Sequence, residues 1–582
     1  MLENIKSNFL LESIFKNLEK KEVLNLLKYN KVLLNRLNIK KKDFEDYSLL
    51  KEINSKFNLN IKGLDIEKLN LSDKGLETEF FDYFNKIPFN KLKELDLRFN
   101  DLNDFNFFVK SNLEKIERLD LSHNSIRDIN ALEKVDFTNI KELILSHNKI
   151  ESIEVLEKVK FENLEILDLG KNKLFSNIKA LGNVNFKKLK ILKLNGNQMH
   201  DIGILEKSCF PELKNLDLSE NDISDIKVLE KVKFDQLEIL NLEMNYELDI
   251  TSLERVNFKL LRELYINDNQ IESIDVLGKV NFEKLEKLYL NNNKIKNINV
   301  LEKANFKNLK ELILFYNNIE DIKVLGKIKF ENLEILNLSD NNNISDINAL
   351  ENANLGELKE FDLTNIKLSD IKVFGKFKFK KLEKLYLGKN EINDINSLEN
   401  LYCNELKELD LGGNKISDIN ILEKFNFPKL EILKFKDNNI SDIKVLEKVN
   451  CQEIKELYLG GNKISDIDIL EKVNFPNLNT LDISRNEISD IKVLEKIKFE
   501  KLKYLILDGN SITDINVFEK VNFKELKELS LSSNKISDIK VFEKVKFELS
   551  LLDLYKNPIN KEENSSILKK LNSSIDDLFY DD

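Results

Sequence analysis

Apolar and polar positions along most of this chain repeat with a period of 24 residues. The stretch LKELDLGGNKISDI, residues 406–419, shows the unit. Leu406, Leu409, Leu411, Ile416 and Ile419 are its apolar positions, with charged or small residues between them. Leu409 and Leu411 alternate with Asp410, the period of a short strand whose leucines share one face. Asn414 follows, and its equivalents recur from Asn100 to Asn557; at one register Ile366 stands in its place. Counting that variant gives twenty repeats. A unit this short cannot bury its own leucines, so neighbours must stack and pair their strands into a parallel sheet. The asparagine offers two donors and an acceptor, which suits an inward turn onto the backbone of adjacent loops. The second half of the unit, SDIKVLEKIKF at 489–499, sets Ile491, Leu494 and Ile497 at helical spacing. This predicts a short helical turn on the outer side, capped by Asp490 or Ser489. Phe499 closes the unit, and Phe137, Phe186, Phe234, Phe306 and Phe475 are among its equivalents. They predict a column of buried aromatics, in which Cys403 and Cys451 stand where phenylalanine otherwise does.

The pattern LxxLxLxxNxI, here LKELDLGGNKI at 406–416, resembles the leucine-rich repeat family over residues 64–560. The resemblance implies an α/β fold class: a curved solenoid with parallel strands on its concave face, which binds rather than catalyses. The ISDI element also resembles the repeats of bacterial internalins and of the leucine-rich-repeat regulator of protein phosphatase, both built on shorter repeats. A phosphatase-type regulatory subunit is therefore an alternative reading. The internalin function is not carried over, because such a surface protein would be expected to have a secretion signal and a wall-anchoring tail.

The two ends depart from the pattern. Residues 1–45 carry helical periodicity in FLLESIFKNLEKKEVLNLLKYNKVLLNRL. This segment resembles the F-box: Ile14, Phe15 and Leu18 match its first helix, and Val23, Leu24, Leu26 and Leu27 its second. The proline expected near Phe9 and the tryptophan expected after Lys31 are missing. The resemblance implies docking onto the adaptor of a cullin-type ubiquitin ligase, which would make the protein a substrate receptor. The bare reading of the same residues is a helical cap on the first repeat. The predicted organisation is a helical module at 1–45, an irregular repeat at 46–91, regular repeats at 92–560, and a C-terminal cap with an acidic tail at 561–582. Within that cap, Ser565 to Leu571 is the expected helix, and the tail after Asp576 is expected to be loose.

Composition narrows the function classes. Net charge is −11, which argues against nucleic acid or an anionic membrane as partner. No run reaches 18 apolar residues, and the first residues lack the apolar segment of a signal peptide. A cytoplasmic monomer is the expectation. Three cysteines are too few for a disulfide scaffold. Cys403 and Cys451 lie two repeats apart, roughly 10 Å at about 4.8 Å per strand, too far to bond. The LGGNK turns lack the spacing of a phosphate-binding loop. His123 and His147 occupy equivalent loop positions in adjacent repeats with no third ligand, so no metal, cofactor or catalytic residue is expected.

What remains is the strand face. The residue inside L-x-L is acidic at Asp96, Asp120, Asp168, Asp217, Asp362, Asp410, Asp482 and Asp553. With the position before the first leucine, the two columns hold sixteen acids against five bases. That is either a solvated face or an acidic trough that steers a basic protein partner. Tyr265, Tyr289 and Ile313 break the polar rule at consecutive repeats, with Phe315 and Tyr316 close by. Contiguous exposed aromatics are what binding hot spots use, so this patch is the expected main contact.

Overall fold

The computed structural model describes residues 41–581 except 112, 176, 345 and 546. The segment carrying Ile14, Phe15, Leu18, Leu24 and Leu27 lies outside the described residues. The chain forms two compact units, Met1–Tyr265 and Ile266–Asp582. Each is a stack of three-residue parallel strands in chain order. The first holds strands β1 (Lys68–Asn70) and β2 (Glu94–Asp96) through β9 (Glu263–Tyr265); the second runs from β10 (Lys287–Tyr289) to β21 (Leu551–Asp553) and β22 (Asp577–Phe579). Strands β2 to β21 are the twenty repeats. Their register places leucine beside leucine: Leu95, Leu119 and Leu143 pair in the first unit, as do Leu385, Leu409 and Leu433 in the second.

The asparagine forms the ladder its chemistry predicts. Asn414 Nδ2 donates to the Leu411 carbonyl (2.9 Å) and to the Leu387 carbonyl of the preceding repeat (3.0 Å). Its Oδ1 accepts the Ile392 N–H at 3.0 Å. Where Ile366 replaces asparagine, the Ile344 N–H turns instead to the Asn341 carbonyl at 3.0 Å. The outer turn is a 3-10 helix, as at Lys492–Glu495, and Asp490 Oδ1 accepts the Lys492 N–H at 2.9 Å. Val493 and Leu494 are its buried side chains, while Ile497 lies beyond the turn and is only half-buried. Phe137, Phe186, Phe234 and Phe475 are each 1% exposed, and Cys403 and Cys451 are equally buried in the same column.

The ends close with more structure than the sequence predicts. Helix α1 (Lys41–Lys56) runs across the boundary expected at residue 45, and its Leu50 and Ile53 are buried. Helix α2 (Glu79–Phe84) buries Phe80, Phe81 and Phe84; Phe80 meets Phe57 edge-on, and Phe81 stacks on Phe107 at 3.9 Å. At the other end, helix α3 (Lys561–Ser574) is longer than the expected Ser565–Leu571 because Asn560 caps it, accepting the Glu562 and Glu563 N–H groups. The tail after Asp576 is not loose. It returns as β22 and pairs with β21, and the Phe579 carbonyl takes the Leu554 N–H at 2.8 Å. That N–H would otherwise be left open at the edge of the last repeat.

Candidate functional site

The strand-face aspartates are occupied by their own loops. Asp96, Asp120, Asp168 and Asp217 in the first unit each accept the N–H two residues on, at 3.0–3.2 Å. Asp362, Asp410, Asp482 and Asp553 do the same in the second, at 2.8–2.9 Å. Asn241 and Asn337, neutral at that position, make the same bond. An aspartate or asparagine at the strand end thus satisfies the first N–H of the loop, as in an Asx turn. Asp120 and Asp482 are buried at 3% and 2% exposure. Burial, only partly offset by the hydrogen bond from the loop, holds the carboxyls of Asp168, Asp362 and Asp410 above the usual carboxylate range. Asp96 lies below that range: the Arg98 guanidinium, at 2.7 Å, outweighs burial.

The glutamates before the first leucine are also engaged. Glu94 pairs with Lys68 at 2.7 Å, Glu142 with Arg118, Glu360 with Lys384 at 3.1 Å and Glu408 with Lys434 at 2.6 Å. One residue earlier, charge alternates between repeats and pairs off: Lys141–Glu117 and Lys190–Glu165 in the first unit, Lys359–Glu334 and Lys407–Glu383 in the second, all at 2.6–2.7 Å. The formal excess of acid on this face is largely bound in pairs and loop caps.

The predicted aromatic patch divides. Tyr265 ends the first unit, and Tyr289, Ile313, Phe315 and Tyr316 belong to the second. Tyr265 and Tyr289 are half-buried, with hydroxyls donating to Glu263 (2.6 Å) and Glu311 (2.5 Å). Ile313 is not exposed. It is buried at 8%, set in register beside Tyr289, whose hydroxyl reaches Glu311 on the same strand as Ile313. Phe315 is half-buried, and Tyr316 stands out at 63% exposure.

A different row lies in the loop just beyond each strand. The residue before each ladder position, from Phe99 to Lys556, has φ between 48° and 68° in all twenty repeats. Only four of these are glycine, at 196, 413, 461 and 509. The left-handed conformation costs an ordinary residue about 1–2 kcal/mol. The turn requires it, because it swings the following asparagine inward. In the first unit three rings fall consecutively in this row. Phe99 stacks on His123 at 4.2 Å between centroids, and His123 on His147 at 4.0 Å. Phe99 is 51% exposed. Burial and the neighbouring His123 ring hold the His147 imidazole below its ordinary value. The paired histidines were legible in the sequence, but Phe99 was missed. Its signal was its place one repeat earlier in the same column. Tyr316 is the corresponding residue in the second unit, at the rim of a polar groove lined by Asn292, Lys294 and Asp340.

Among the described residues, no group of three His, Cys, Asp or Glu side chains is arranged to hold a metal ion. No described helix is long and apolar enough to cross a membrane. Cys209 is exposed and free.

Comparison with known proteins agrees with this geometry. The family "Leucine Rich repeats (2 copies)" matches residues 138–183, 259–303, 307–352, 452–496 and 500–544. "Leucine rich repeat" and "Leucine Rich repeat" models of the same kind match 90–150 and 402–419. No curated protein sequence matches the chain. Among solved structures, the plant peptide hormone receptor RGFR1 in complex with RGF2 is 19% identical, with a TM-score of 0.51, covering 89% of this chain and 91% of that one. An internalin (inlF) from Listeria monocytogenes is 26% identical over 63% of this chain and 87% of its own, with a TM-score of 0.39. The LRR protein LIC12759 of Leptospira interrogans is 21% identical over 83% and 96%, with a TM-score of 0.36. The receptor likeness shows the repeat fold.

Proposed function

Because the chain is a leucine-rich-repeat protein, we propose that it acts as a non-catalytic scaffold, binding a protein partner through the strand face and the left-handed row beside it. The observation that carries this reading is the stacked trio Phe99, His123 and His147, with Phe99 and His147 exposed and His123 half-buried between them. The trio stands in the loop row beside the strand face, where the turn holds every repeat at positive φ. Aligned rings also offer rigid contact area at little cost in side-chain entropy. The strand-face acids serve mainly as loop caps, so they support affinity less than the rings do.

The test compares full-length protein with the triple variant Phe99→Ala, His123→Ala, His147→Ala and with Tyr316→Ala, using partners captured from source cells and then titrated in purified form. The triple variant is expected to keep its circular dichroism spectrum and to bind at least about tenfold more weakly. Equal binding by the triple variant and the parent would remove the trio as the contact.

A further inference from the structure

We propose that the outer face of the second unit carries a separate docking slot, at Ala304, for one large apolar side chain of a partner protein presented within an acidic segment. The position two residues before the closing phenylalanine is bulky in most repeats: Val280, Ile328, Leu401 and Phe425 are examples. Here it is Ala304, and the column is disturbed at that point. Phe306 is half-buried, while Phe282 and Phe330 on either side are 1% and 5% exposed. A cavity of about 210 Å³ lies between Phe306 and Ile328 and is lined by Leu309 and the strand residue Leu312. The equivalent groove around Val135 is similar in size, about 190 Å³, but it is lined by no strand leucine and keeps Phe137 buried at 1%. An apolar cavity of about 150 Å³ is known to take a benzene ring, so this slot accommodates a phenylalanine or leucine side chain.

The rim selects the charge of what surrounds that side chain. Lys307, Lys327 and Lys329 line the mouth, with Glu302 as the acid among them, paired to Lys327 at 3.6 Å. At most other turns of the outer face the lysine pairs with a glutamate one repeat back, as in Lys424–Glu399 and Lys448–Glu423, both at 3.0 Å. Beside the slot two of those glutamate positions are Gly278 and Gly326. Gly326 is forced by close approach, since a Cβ there would lie 2.0 Å from the Ala349 carbonyl oxygen. Lys303 therefore faces Gly278, as Lys207 faces Gly182 in the first unit, where most turns have an acid. In a chain of net charge −11, this is a local surplus of cations around an apolar hole. Acidic residues flanking the inserted side chain complement it.

The test measures fluorescence anisotropy of labelled five-residue peptides with full-length protein. The probe has a central phenylalanine between pairs of acidic residues; controls replace the phenylalanine with alanine, or the acids with lysines. The acidic phenylalanine peptide is expected to bind at sub-millimolar concentration. Affinity should drop at least about tenfold in the alanine peptide and in Ala304→Leu, which fills the slot with the residue found at Leu401. Lys307→Glu with Lys329→Glu should weaken binding and flatten its salt dependence. Ala304→Val, matching Val280, serves as a second filling variant should the leucine perturb folding. Unchanged affinity in the filled variants would overturn the proposal. So would equal binding of the lysine-flanked peptide, or no binding of the acidic probe while dodecanoate binds, which would make the slot a lipid site. None of these variants touches the Phe99–His147 row, so the two readings fail separately.

Discussion

Each ladder asparagine supports backbone groups in two repeats, so its loss is felt beyond its own loop. Asn414→Ala strands the Ile392 N–H and removes donors from the Leu387 and Leu411 carbonyls. A cost of about 2–4 kcal/mol is expected, with faster hydrogen exchange at the Ile392 amide as the local readout. Ile366→Asn should gain far less, because the Ile344 N–H already has the Asn341 carbonyl. The cysteines give a second residue-scale prediction. Burial pushes the Cys403 thiol up to about 12 and the Cys451 thiol up to about 11. At pH 8 a thiol reagent should titrate one group in the native protein, the exposed Cys209, and three after denaturation. The sign of the linkage follows. A raised folded-state pKa means that the unfolded chain loses its protons first. Stability from these two thiols is therefore complete below about pH 8.5 and declines as pH rises toward their folded values.

At the scale of the repeat, close approach between successive outer turns sets tolerance to substitution. Gly326→Ala would place a methyl group 2.0 Å from the Ala349 carbonyl, a backbone atom that cannot step aside. At Gly278 the nearest atom is a Val300 methyl at 2.6 Å, on a side chain that can turn. Gly326→Ala should therefore cost about 1–3 kcal/mol and Gly278→Ala clearly less, read from thermal melts of the two variants side by side. Outer pairs such as Lys424–Glu399 are exposed on both partners, and each contributes at most about 1 kcal/mol. They align neighbouring turns more than they hold them.

For the whole molecule, stability is a sum of repeats and the contacts between neighbours, and the ends matter most. Helix α3 and strand β22 cover the last repeat with Ile567, Leu568 and Leu571. Deleting residues 561–582 should bare the edge of β21 and the flank of Leu552 and Leu554. The expected result is a lower unfolding temperature and concentration-dependent association, followed by light scattering. A shortened protein that stays monodisperse with an unchanged melt would show that the last repeat needs no cover.

Wherever one chemical rule acts within a repeat, the sequence was sufficient. The alternating leucines, the inward asparagine, the capping Asp490 and the phenylalanine column were all legible, because each is one chemical rule repeated along the chain. Tertiary structure alone decided how the remaining side chains are used, because that depends on neighbours 22 to 26 residues away. Stacking tied Tyr289 to Glu311 and buried Ile313. It also aligned Phe99 with the two histidines and left Phe306 half-open above Leu312. Period and residue type fix what each position can do; which partner it meets is settled only when the repeats lie side by side.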